Sequence, residues 1–205
     1  METLTKILTK KGVQILNKED KSDNRKDEVK GLRKLFIGEL KEIYWAEGAL
    51  RKVLQKMHKH ASSFEIIDEL SRQLDLVKDH QLNIEEIFSL INEKAVAVTS
   101  RFMKGLIVEV ELLMDETKKG VVRDAGIISY ALKMKHFEIA AYSTLCFYSR
   151  TLGDESATAS LRTSLDQENM ANEKISQLIE SISLELVDTN SGNPAINMAE
   201  ELAIV

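Results

Sequence analysis

Apolar residues recur every three or four positions along four long stretches of the chain, the rhythm of helices with one buried face. The first stretch carries Phe36, Leu40, Ile43, Glu47, Leu50, Leu54 and Met57. The second carries Leu70, Leu74, Val77, Gln81, Ile84 and Phe88, with His80 at the edge of the stripe. The third runs through Ile127, Ala131, Met134, Glu138, Tyr142 and Leu145, and the fourth through Leu161, Leu165, Glu168, Asn172, Ile175, Ile179 and Ile182. Alternating β-branched runs are scarce, so strands are not expected.

Boundary signals divide these stretches into five helices. The chain has one proline, Pro194, so nothing of that kind interrupts a helix between Asp27 and Leu186. The first helix is expected over about Asp27–His60. Ser62-Ser63-Phe64-Glu65 reads as a capping box opening the second, which ends near Glu93. A linker, Lys94–Ser100, leads to a short third helix over about Arg101–Lys119, with Gly120 as its stop. The fourth spans Val121–Leu152. Gly153 supplies a left-handed stop and Asp154 the next N-cap, and the fifth helix runs to about Leu186. Joins this short make helices one and two, and four and five, antiparallel pairs. The architecture predicted is all-α: a four-helix bundle (residues 31–186) with a short extra helix in the crossover. Residues 1–30 read as a polar N-terminal tail, nearly all charged or polar from Lys18 to Lys30. Residues 187–205, with the NSGNP turn cluster and an apolar Ala203-Ile204-Val205 close, read as a C-terminal tail.

Three of the seams turn acidic near mid-height, at Glu47, Glu138 and Glu168. A lone buried carboxylate costs several kcal/mol unless it is paired, protonated or metal-bound. In bundles, inward carboxylates and histidines at one level build di-iron and di-manganese sites. The candidate ligands are Glu39, Glu47, His80, Glu138 and Glu168, for iron or manganese. Glu39 and Glu47 lie about 12 Å apart along one helix, so one site cannot use both. Lys135, one turn before Glu138, offers a metal-free solution: its ammonium can neutralise Glu138 and Glu168 directly. The bland readings are a wetted Glu at the edge of a seam, a satisfied surface His80, and a Lys135 that snorkels outward. His136 points away from Glu138 on the helix wheel, and His58 and His60 sit at a helix end.

Bulk properties narrow the function classes. A net charge of -5 without a long basic run argues against nucleic acid and anionic membrane as partners. No apolar run approaches the roughly 20 residues of a membrane span. The opening METLTKILTKKGVQILNK sets lysines where a signal peptide needs an unbroken apolar stretch, so a cytoplasmic location is expected. The single cysteine, Cys146, forms no intrachain disulfide and has no activating pattern around it. No phosphate loop is present and no catalytic residue is assigned. Outward apolar residues, namely Trp45, Tyr130, Phe137, Ala140, Phe147 and Tyr148, suggest a homodimer.

LFIGELKEIYWAE (35–47), GLIVE (105–109), HFEIAAYSTL (136–145) and DQENMANEKI (166–175) together resemble the bacterial YciE/YciF stress-response proteins, a family of ferritin-like fold. The resemblance covers about Gly31–Ser183. It implies a bundle of helices one, two, four and five, a third helix in the crossover, a homodimer, and a stress-linked role without a settled activity. Rubrerythrins and ferritins, more distant in fold, use Glu-x-x-His on two helices. Here Val77 stands three before His80, and Ala171 stands three after Glu168. Lys135 and Asn172 stand where family members commonly carry acids. Two functions from different classes follow: a non-catalytic or metal-poor helical dimer, and an iron- or manganese-binding oxidoreductase or iron-handling protein.

Overall fold

The computed structural model describes the backbone of residues 2–191 and the side chains of residues 25–182. It consists of five helices: α1 (Glu2–His60), α2 (Phe64–Leu90), α3 (Arg101–Glu116), α4 (Val121–Leu152) and α5 (Glu155–Ser191). No strand occurs among the described residues. The hairpins α1–α2 and α4–α5 lie side by side, with α1 against α4 and α2 against α5. Helix α3 packs outside this square, on α1 and α4.

Each bundle helix buries its predicted stripe, and one continuous core results. The α1 seam is buried from Phe36 to Met57, and the α4 seam from Ile127 to Leu145. On α2 four of the six expected positions, Leu70, Val77, Ile84 and Phe88, are buried, while Leu74 and Gln81 are only partly so. Gln73, His80 and Ile87 are buried in their place. Both sets keep the three-and-four rhythm, so the apolar pattern alone did not say which flank of the shared seam faces the core. The buried flank is the one that carries His80, which therefore lies at the centre and not at the edge.

Gly153 has φ 78° and closes α4. The Gly153 N–H donates to Arg150 O at 3.1 Å and the Asp154 N–H to Ser149 O at 3.0 Å, the paired bonds of a Schellman ending. The Ser62 capping box does not form. Ser63 holds the N-cap position of α2 without a side-chain cap bond. Instead the N–H groups of Ser62 and Ser63 each donate to the Asp124 carboxylate, both at 2.8 Å, from the first turn of α4. A tertiary carboxylate thus satisfies donors that a local hydroxyl was expected to take. Helix α3 ends at Glu116, earlier than Lys119, and Gly120 (φ 144°) caps the start of α4 rather than the end of α3.

Helix α1 begins at Glu2, well before Asp27. Residues 2–30 hold no proline and many good helix formers, which suits helical backbone back to Glu2. Helix α5 likewise runs to Ser191, past Leu186. The rest of the expected C-terminal tail, 192–205, lies outside the described residues. The crossover between hairpins is tied down by main-chain acceptors: Arg33 donates to Ile91 O at 3.0 Å and the Val98 N–H to Lys41 O at 3.0 Å. Ser100 caps α3, its hydroxyl accepting from the Met103 N–H. On α4, Gly126 admits Leu113 so closely that a Cβ there would stand 2.5 Å from Leu113 Cδ1.

Candidate functional site

At mid-height the four bundle helices each turn a polar side chain inward. Glu47 comes from α1, His80 from α2, Glu138 from α4 and Glu168 from α5; none is more than 1% exposed. One ligand-type atom from each lies within 4.8 Å of those from the other three. Four of the five expected ligands therefore converge. Glu39 does not join them. It lies eight residues before Glu47, about 80° away around the helix, and stays half-buried while Phe36, Leu40 and Ile43 fill the core. Burial and the neighbouring Glu42 push its carboxyl up.

A fifth group stands among the four. Lys135 is 3% exposed, with its ammonium 3.0 Å from Glu138 Oε2 and in direct contact with Glu168 Oε2. Desolvation works against its charge, but Glu138 and Glu168 outweigh that and hold Lys135 more firmly protonated than a free lysine. The imidazole lies on the other side of Glu168. His80 Nδ1 is 3.0 Å from Glu168 Oε1 and 3.6 Å from Glu47 Oε1. Neither approach is aligned as a hydrogen bond, so both are close charge contacts. His80 Nε2 bonds to Gln167 Oε1 at 3.0 Å. Burial opposes a charged ring here, yet Glu168 and Glu47 prevail and raise His80 to about 10.

The carboxyl groups respond unequally. Burial opposes ionisation of Glu168, but Lys135 and His80 overcome it and hold that carboxyl below its usual range. Glu138 is pushed well above the usual range by burial and by the charge on Glu168, more than Lys135 can offset. Two close carboxyls beside one ammonium are thus pushed in opposite directions, Glu138 up and Glu168 down.

Tyr142 completes the cluster. Its hydroxyl donates to Glu47 Oε1 at 2.6 Å, and its ring meets His80 edge-on with centroids 5.3 Å apart. Burial and Glu47 push its phenol well above the usual range. Tyr142 and Gln167 were not among the expected site residues. The signal for Tyr142 was a hydroxyl one turn after Glu138 on the same seam. Gln167 gave none, because it sits on the exposed side of α5 beside Glu168. Cys146 is buried, as expected of a packed cysteine, and burial pushes its thiol up.

Residues 31–187 match the family described as a domain of unknown function, DUF892. The chain belongs to the DUF892 family. It is 30% identical over 151 residues to the protein YciF of Escherichia coli K12, covering 73% of this chain and 91% of that one. The crystal structure of the E. coli stress protein YciF superposes with a TM-score of 0.72 at 28% identity, covering 74% of this chain and 96% of YciF. YcfI from Rhodopseudomonas palustris gives 0.68 at 29% identity, over 71% of this chain and 92% of that one. A Xanthomonas campestris protein, XCC3681, gives 0.62 at 15% identity, covering 78% and 99% of the two chains, a likeness of fold alone. The part shared within the DUF892 family is thus the bundle that contains the buried cluster. Among the described residues no helix is long and apolar enough to cross a membrane.

Proposed function

We propose that this DUF892 chain is a non-catalytic, metal-poor helical protein whose bundle centre is held by an internal ion network. The observation that carries this reading is Lys135, buried in contact with both Glu138 and Glu168. Its ammonium supplies the positive charge that a second metal ion would supply in a two-metal bundle. Val77 and Ala171 withhold the Glu-x-x-His partners such a centre uses. The donor set therefore does not fit a pair of ions. Elemental analysis of the full chain, purified without chelator, tests the proposal: iron and manganese should be far below one ion per chain. A stoichiometric ion would contradict it.

One observation favours a second reading. Glu47 Oε2, His80 Nδ1, Glu138 Oε1 and both Glu168 oxygens are buried without a hydrogen bond. Such atoms suit one divalent cation, of iron or manganese type. Formally, one divalent ion plus Lys135 balances three carboxylates, with His80 neutral. Under this alternative, Glu47, His80, Glu138 and Glu168 hold a single ion and the chain handles iron or manganese.

The chain is further proposed to act as a stress-linked homodimer in the cytoplasm. Phe147 is 56% exposed on α4, and Phe102, 65% exposed, stacks on Phe137 at 5.6 Å. Apolar surface of this kind is usually covered. Sedimentation at micromolar concentration should give a dimer; a monomer would contradict that part.

A further inference from the structure

A groove lies away from the buried cluster, between α1 and α3. It encloses about 940 Å³. Its floor is apolar, formed by Trp45, Ala49, Val53 and Ile107, with Val108, 46% exposed, at its lip. Its rim is basic, with Arg51, Lys52 and Lys104 exposed. Among the described residues none of these three has an acidic partner, whereas Lys56 at the end of the groove is paired with Glu111.

The chain itself carries a segment of complementary chemistry. No lysine or arginine occurs after Lys174, while Glu180, Glu185, Asp188, Glu200 and Glu201 do. The last residues, Met198-Ala199-Glu200-Glu201-Leu202-Ala203-Ile204-Val205, set two acids among apolar side chains. The position of α5 brings this segment within reach. Helix α5 runs antiparallel to α4 and so ends where α4 begins, at the end of the bundle where Asp124 holds the α1–α2 turn. The groove runs along α1 from Tyr44 to Lys56, and its Lys56 end is four residues before His60, at that same end of the bundle. The 14 residues after Ser191 can span up to roughly 48 Å, several helix diameters.

We infer that residues 192–205 dock in the α1–α3 groove, with Leu202, Ile204 and Val205 against Trp45 and Ile107, and Glu200 and Glu201 against Lys52 and Lys104. The pairing is intramolecular, so the tether supplies a high effective concentration for contacts that would be weak between separate chains.

Trp45 is the only tryptophan, so its fluorescence reports the groove without a label. The test compares four full-length proteins: the parent, the pair Glu200→Lys and Glu201→Lys, the pair Lys52→Glu and Lys104→Glu, and all four changes together. Each pair alone should red-shift the Trp45 emission and raise its quenching by acrylamide. Reversing both sides should restore the parent's values, a rescue that damage to the fold would not give. Identical emission and quenching in all four proteins would overturn the proposal. Emission that follows protein concentration and ignores these charges would overturn it too, by giving the groove to a second copy of the chain.

Discussion

Lys135 Nζ lies 3.0 Å from Glu138 Oε2, one turn further along the same helix, and the two side chains are 3% and 1% exposed. A lysine at that spacing on a helix surface contributes a few tenths of a kcal/mol at most. In the sealed centre of the bundle the balance differs. Moving an ammonium from water costs several kcal/mol, and only close carboxylates repay it. Glu168, reaching in from α5, is the second of these. The pair on α4 and its partner on α5 therefore form a tertiary lock between two helices.

Removing one member should show its worth. Lys135→Ala leaves Glu168 and Glu138 facing each other without their shared cation. Breaking a buried pair in this way typically costs about 3–5 kcal/mol. Urea unfolding should show a lower midpoint with an unchanged slope. An unaltered midpoint would mean that Lys135 contributes no net stabilisation where it lies.

Stability should also fall on the alkaline side of neutrality. The folded state raises His80 from 6.5 to about 10. A group raised in this way contributes stability that is fully present below its unfolded value and lost as pH rises through the folded one. Glu138, also raised, acts in the same direction above its ordinary 4.5. Glu168, which is lowered, contributes above 4.5 and loses its contribution as pH falls through its folded value. The optimum is therefore acidic, near 4.5, with a decline that begins between about 4.5 and 6.5 through Glu138 and steepens above 6.5 through His80. Unfolding free energies measured across this window and up to pH of about 10 should decline with pH, and the decline should flatten in His80→Gln. A parent protein most stable above neutrality would contradict these directions.

Much of this centre was legible in the sequence, and the parts that were not share a cause. Glu47, Glu138 and Glu168 interrupt apolar seams, and an interruption at regular spacing can be read directly. Lys135 could be named because it precedes Glu138 by three. His80 was harder, because Leu74 and Gln81 gave an apolar stripe nearly as good as the one the fold uses. A part-turn of the helix about the shared Leu70, Val77, Ile84 and Phe88 decides which flank is buried. The choice between Glu39 and Glu47 stayed open in the sequence for a related reason: Glu39 is close to the seam of a long amphipathic helix without belonging to it. The join at Ser62 was also misread. Local pattern offered a capping box, while the acceptor came from Asp124, about sixty positions away in sequence. The fold itself was easier, since seams, Gly153 and short joins determine hairpins locally.

That distant acceptor gives a further prediction. Asp124 is 3% exposed and accepts from two main-chain donors, Ser62 and Ser63. Asp124→Ala orphans both, and losing hydrogen bonds to a charged group costs on the order of 1.5–3 kcal/mol each before any water enters. The variant should lose stability, with amide exchange at Ser62 and Ser63 accelerating more than at the Gly153 turn. Uniform exchange across both turns would mean that Asp124 does not anchor this one.

With Lys135 proposed to stand in place of a metal ion, Lys135→Glu exchanges the one for the other. The most direct measurement is a side-by-side titration of the parent and this variant with manganese(II) at neutral pH, read by bound metal after equilibrium dialysis. The parent should show no saturable uptake in the micromolar range. Lys135→Glu, where a fourth carboxylate joins Glu47, Glu138, Glu168 and His80, should take up the ion. Saturation of the parent at one or more ions per chain, as tight as in the variant, would contradict it.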